Sequence, residues 1–99
     1  MAKLKIDIDI LQDTITAYQT AIDDIEGAVG DAEDAVDTLR TSSWKSGASD
    51  AFFENFDSNW KKNIEDRIQI IKHLKGCLEE AKKEYDAVYT EATQLGNSL

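Results

Sequence analysis

The chain has 99 residues, 41% of them hydrophobic, and a net charge of −9. This length allows one domain with a small core, and the negative charge argues against binding to nucleic acid or to an anionic membrane surface. A single cysteine excludes an intrachain disulfide, no apolar run is long enough to span a bilayer, and no cleavable signal peptide is predicted.

The N-terminal part of the chain predicts one long amphipathic helix, from about residue 6 to residue 40. Its apolar residues alternate between spacings of three and four, which is the heptad pattern of a coiled-coil seam. These residues are Ile8, Leu11, Ile15, Tyr18, Ile22, Ile25, Val29, Ala32, Val36 and Leu39. The chain contains no proline, and this suits a protein that is almost entirely helical.

The segment TSSWKSG, residues 41–47, predicts a turn. Its serines and threonine compete with the backbone for hydrogen bonds, and we expect Gly47 to supply a backbone conformation that other residues avoid. A short connection between two long helices makes them antiparallel neighbours.

A second helix is predicted from about residue 48 to residue 95. Its apolar residues first recur every four positions and then return to heptad spacing, so we expect a looser register near the turn. They are Phe56, Trp60, Ile64, Ile68, Ile71, Leu74, Leu78, Ala81, Tyr85, Val88, Ala92 and Leu95. We expect a helix stop from Gly96 onward.

The predicted fold is therefore an all-α, antiparallel two-helix hairpin that forms one domain over residues 1–99. Further apolar residues lie outside the seam and widen the apolar stripe of each helix; among them are Ile10, Ala21, Ala28, Ala35, Phe52, Phe53, Ile70 and Tyr89. A stripe of this width fits packing against more than one neighbour, so we expect pairing into a four-helix bundle.

Charge is divided unevenly between the two halves. Residues 1–40 carry three Lys/Arg and ten Asp/Glu, whereas five of the later basic residues cluster near the turn. These are Lys61, Lys62, Arg67, Lys72 and Lys75. In an antiparallel hairpin they fall beside the acidic middle of the first helix, where ion pairs help to fix register and partner choice.

The aromatic cluster after the turn is the first candidate for a binding site. Phe52, Phe53, Phe56 and Trp60 are predicted to bind a partner protein. Adjacent residues of a helix cannot face the same way, so we expect Phe52 or Phe53 to be exposed in the monomer. Trp44 is either a structural residue that closes the end of the helix pair or part of a surface that a partner recognises.

Neither a metal site nor an enzyme is predicted, and no cofactor is expected. His73 and Cys77 lie four residues apart on one helix face, but a structural zinc site needs four ligands and the chain has no other His or Cys. A helical hairpin has no concave pocket that excludes water around a nucleophile.

The whole chain resembles the WXG-type, ESAT-like superfamily of small type VII secretion proteins. Trp44 and Gly47 match its turn motif, and Ala48, Ala51 and Phe52 match the small and aromatic residues that begin its second helix. The family motif has one residue between tryptophan and glycine, but this sequence has two. The family's C-terminal export signature, a tyrosine followed four residues later by an acid, is incomplete here.

These departures resemble the divergent branch of Gram-positive bacteria, whose members bind the helical N-terminal domains of LXG-type toxins. The resemblance implies a protein made in the cytoplasm and secreted without a cleavable signal peptide, and it implies a secretion ATPase as a further partner. The resemblance leaves three partners open: a toxin, a sibling protein or a second copy. By this resemblance the region of Tyr85, Val88 and Tyr89 is a candidate export signal, and ordinary heptad packing is the alternative for Tyr85 and Val88. The alternatives are a cytoplasmic adaptor hairpin and a chaperone that is not exported.

Overall fold

The computed structural model describes residues 2–98, which are helical apart from residues 41–46. Helix α1 spans Ala2–Arg40, α2 spans Gly47–Asn55, a π-helical turn covers Phe56–Trp60, and α3 spans Lys61–Ser98. The predicted fold class, an all-α helical hairpin, is confirmed.

The helix boundaries differ from the sequence expectations at three places. Helix α1 begins at Ala2 rather than near residue 6, and the connection ends at Ser46 because α2 already begins at Gly47. Helix α3 continues through Gly96 to Ser98, since one glycine costs a helix only about 1 kcal/mol and does not end it by itself. Leu99, which we expected in a frayed end, lies outside the described residues.

A reciprocal pair of serine hydrogen bonds fixes the start of α2. Ser46 has an extended backbone, with φ −165° and ψ 172°, and its hydroxyl accepts a 3.2 Å hydrogen bond from the Ser49 N–H. The Ser46 N–H in turn donates to the Ser49 hydroxyl at 2.8 Å. This capping box satisfies backbone donors that the first helical turn leaves without partners.

Gly47 does not have the conformation that we expected of it. No glycine among the described residues has a positive φ, and a Cβ at Gly47 would meet nothing within 4 Å. The extended residue Ser46 caps α2 with its side chain, so the start of this helix does not depend on a positive φ at Gly47.

The π-helical turn coincides with the first step, Phe56 to Trp60, of the run of apolar residues at four-residue spacing. The N–H of Lys61 donates to the carbonyl of Phe56, which is the i→i+5 bond of a π-helix. A widened turn keeps residues four apart close to one line, and the rings of Phe56 and Trp60 stack 4.9 Å apart with an interplanar angle of 17°.

The chain divides into two compact units. The terminal unit comprises the described residues up to Thr20 and those from Lys72 onward, and Ile8 and Ile15 are its buried apolar residues. The central unit comprises residues 21–71, and its buried apolar residues are Ile22, Val36 and Ile68. Both cores are small, as expected for helix pairs that use one apolar stripe.

The seam predicted for the C-terminal part of α3 is wrong at several positions. Tyr85, Val88 and Leu95 were expected in the seam, but they are 41%, 54% and 64% exposed. Leu78, Ala81 and Ala92 of the predicted seam are partly buried, and Lys75, Lys82, Asp86 and Tyr89 lie in the same partly buried stripe. Lysine side chains contribute to this stripe because their aliphatic stems cover apolar surface while the ammonium groups reach carboxylates, as Lys82 reaches Asp86 at 2.8 Å.

Among the described residues, no helix combines the length and the hydropathy that a membrane span requires.

Candidate partner-binding surface

An apolar groove of about 460 Å³ lies in the central unit. Helix α1 forms one wall, and α2 with the π-helical turn forms the other. The lining residues are Ala32, Ala35, Val36, Leu39, Phe52, Asn55, Phe56 and Trp60. The alanines leave space opposite large aromatic rings, so the groove exists because small and large side chains face each other without filling the gap.

Several large apolar side chains on the walls of the groove are exposed. Phe52 is 42% exposed, Trp60 39% and Leu39 38%, and they lie together rather than scattered over the surface. Contiguous apolar patches of this kind mark interaction sites on soluble proteins.

Three of the four residues in the predicted aromatic cluster line this groove: Phe52, Phe56 and Trp60. Phe53 does not, and it is only partly exposed. Its ring lies beneath the guanidinium group of Arg40, with 4.7 Å between the Arg40 Cζ and the ring centroid. The expectation that one of the two adjacent phenylalanines is exposed is therefore confirmed, and the exposed one is Phe52.

Trp44 packs on both adjacent phenylalanines. Its ring centroid is 5.9 Å from that of Phe52 and 5.8 Å from that of Phe53, in tilted and edge-on arrangements. These geometries are favourable for aromatic pairs. Trp44 thus restrains the ring of Phe52. Because Trp44 remains 37% exposed, part of its own ring is also accessible to a partner.

Ion pairs between α1 and residues after the connection include two in the central unit. Arg40 Nη2 lies 2.6 Å from Asp57 Oδ1, and Lys61 Nζ lies 3.4 Å from Glu33 Oε1. The second pair joins a basic residue of the cluster after the turn to the acidic part of α1, as the sequence predicted. Both pairs are partly exposed, so they contribute more to register than to stability.

The predicted C-terminal residues lie on different faces of α3 in the terminal unit. Tyr85 and Val88 point outward, whereas Tyr89 is partly buried with Lys5 Nζ 6.0 Å from its ring centroid. Leu95 continues the outward line of Tyr85 and Val88, and on α1 of this unit Ile6 and Ile10 are each 57% exposed. The heptad pattern placed Tyr85, Val88 and Leu95 in the internal seam, so their exposure was not predicted.

His73 and Cys77 lie side by side on α3. The Cys77 Sγ lies 3.9 Å from His73 Nε2 on the exposed side of α3. No group of three or more His, Cys, Asp or Glu side chains in the described part of the chain is arranged to hold a metal ion.

These features define a class of protein: a small helical hairpin with a tryptophan at its central connection and an open apolar surface. The family model described as "WXG100: Proteins of 100 residues with WXG" matches residues 3–94, and the chain belongs to this family. No curated protein and no solved structure matches the chain significantly.

Membership makes this chain a small helical protein associated with type VII secretion. Proteins of the family are not enzymes, and they generally dimerise with each other or with partner proteins.

Proposed function

We propose that this protein pairs with a helical partner through the apolar groove and is exported with it by a type VII system. The observation that carries the proposal is the joint exposure of Phe52, Trp60 and Leu39 around a groove that no side chain of the central unit fills. Burial of apolar area contributes about 25 cal/mol per Å², so covering these walls favours association.

The partner that fits the sequence best is the helical N-terminal domain of a larger secreted LXG-type toxin. A sibling protein or a second copy is the alternative for the same surface. The departures from the family's turn and export motifs support the toxin-associated branch, because Trp44 is followed by two residues before Gly47 and neither Tyr85 nor Tyr89 precedes an acid by four.

We further propose that the pair together presents the surface that the secretion ATPase recognises. Trp44 is exposed at the connection, and Tyr85 and Val88 are exposed on α3, so each of them is available for contact. A composite signal of this kind would need the partner to supply the acidic residue that this chain lacks.

The test is a native pull-down of the tagged protein from its host, with the bound proteins identified by mass spectrometry. We expect a larger protein with a helical N-terminal domain at near one-to-one ratio, and we expect Phe52→Ala to lose it. Ser58→Ala is the matched control, because Ser58 is exposed in the π-helical turn and does not line the groove.

Export is tested separately by the amount of protein in the culture medium of cells with and without the secretion ATPase. We expect the protein in the medium only when the ATPase is present. Retention inside the cell while the partner is exported would identify a chaperone instead, and retention of both would identify an adaptor hairpin.

A further inference from the structure

The central unit carries most of the net charge of the protein as well as the apolar groove. Residues 21–71 contain twelve Asp/Glu and five Lys/Arg, so this unit has a net charge of −7 out of the −9 of the chain. Whatever covers the groove must approach a strongly negative unit, and the sign of its charge will affect both rate and choice of partner.

The negative charge extends along the α1 wall of the groove. Residues 21–39 contain seven Asp/Glu and no Lys or Arg. Asp24, Ala28, Asp31 and Ala35 follow one another at spacings of four, three and four, which places them on one face of α1. Ala35 lines the groove, so Asp24 and Asp31 lie on the same face of α1 as this wall. Both carboxylates are exposed.

Part of the basic side of the unit is already engaged within the unit. Arg40 contacts Asp37 and Asp57, and Lys61 contacts Glu33. Lys45 Nζ donates to the Arg40 carbonyl at 3.4 Å. The same contacts neutralise Glu33, Asp37 and Asp57, whereas Asp24 and Asp31 are exposed.

We infer that the occupant of the groove is an amphipathic helix of another protein, with lysine or arginine bordering its apolar side, and not a second copy of this chain. This inference rests on the proposed function and specifies the chemistry of the partner. Two copies docked groove to groove would oppose one −7 unit with another, whereas a basic helix gains attraction along Asp24 and Asp31.

The length of the groove fits a helix. Its α1 wall runs from Ala32 to Leu39, which is about two helical turns or ~10 Å. Helices that bind grooves use apolar anchors three, four and seven residues apart, so two turns accept such a set.

The experiment uses the purified full-length protein and three synthetic peptides, with binding measured by calorimetry. The first peptide is a helix with leucines at three- and four-residue spacing bordered by lysines, and the second replaces the lysines by glutamates. The third is a scrambled version of the first, with the same charge and no apolar side. We expect the basic helix to bind at least about tenfold more tightly than either other peptide at ~50 mM salt, and this advantage to shrink at ~500 mM salt.

Two sets of variants locate the effect. The double variant Asp24→Asn/Asp31→Asn should lose most of the salt dependence, whereas Glu54→Gln/Glu65→Gln removes the same charge from exposed positions that do not line the groove and should change binding less. Ala35→Trp should fill the groove and abolish binding of the basic helix, with circular dichroism confirming that the variant is folded.

Equal binding of the acidic and basic helices, or no binding of the basic helix, would overturn the inference. Sedimentation of the protein alone as a dimer that Ala35→Trp disrupts would overturn it too. That last result leaves pairing for export intact, because a self-paired protein can still be secreted. The proposed function fails on a different measurement, the absence of the protein from the medium.

Discussion

The guanidinium group of Arg40 donates a 2.6 Å hydrogen bond to the carboxylate of Asp57 across the connection between the helices. Arg40 is the last residue of α1, and Asp57 lies in the π-helical turn. The same guanidinium covers the ring of Phe53, so one side chain ties the end of α1 to both α2 and the turn after it. This contact fixes one end of the groove.

Removing this contact should have a small but measurable effect on stability. Because both side chains are partly exposed, we expect Asp57→Asn to cost about 0.5–1 kcal/mol and Arg40→Gln somewhat more, since it also loses the stacking on Phe53. Urea denaturation of both single variants and the double variant gives the coupling energy. Costs of the two single variants that simply add would show that the pair makes no energetic contribution.

The capping box should matter more than its short sequence suggests. Ser46→Ala removes the acceptor for the Ser49 N–H, and we expect a loss of about 1 kcal/mol in the free energy of unfolding. Ser43→Ala is the matched control, because Ser43 is exposed and lies outside the helix. Similar unfolding midpoints for both variants would contradict the assigned role of Ser46.

Two isoleucines of α3 differ in burial and should therefore differ in their contribution to stability. Ile68 is 6% exposed and Ile70 is 60% exposed, so Ile68→Ala should cost about 2–4 kcal/mol and Ile70→Ala well under 1 kcal/mol. The measurement is chemical denaturation of the isolated protein. A large loss at Ile70 would mean that its side chain is already covered in the isolated protein.

The π-helical turn should tolerate a deletion that an ordinary helix does not. A π-helical turn is equivalent to one extra residue in an α-helix, so deleting Ser58 should restore α-helical hydrogen bonding while the seam beyond it keeps its alignment. Deleting Gln69 in α3 instead rotates every later residue by about 100° and should unfold the protein. Thermal melts followed by circular dichroism compare the two. Equal damage by both deletions would show that the turn is not an insertion of this kind.

Replacing helical glycines by alanine should stabilise the helices without changing the groove. A Cβ at Gly27 or Gly76 would meet nothing within 4 Å, so we expect each change to alanine to add about 0.5–1 kcal/mol. The free energy of unfolding from urea titration is the measurement. Neither residue lines the groove, so binding of the basic helical peptide should stay unchanged; weaker binding would indicate that a partner approaches at one of these positions.

The sequence by itself determined the helical class, the position of the connection and the aromatic cluster around the groove. Alternating spacings of three and four from Ile8 to Leu39 leave no other regular structure, because only a helix brings those positions to one side. The run of four-residue spacings between Phe56 and Ile68 also marked the place where the helix departs from α geometry.

Only the tertiary structure decided which apolar residues face the chain itself and which face outward. Tyr85, Val88 and Leu95 satisfy heptad spacing as well as Lys75, Lys82 and Tyr89 do, and the sequence offers no reason to prefer one set. The choice depends on how α3 rotates against α1, and this rotation is set by packing and by long lysine stems that hydropathy counts as polar. For the same reason the groove was not predictable, since it depends on which alanines of α1 lie opposite Phe52 and Trp60.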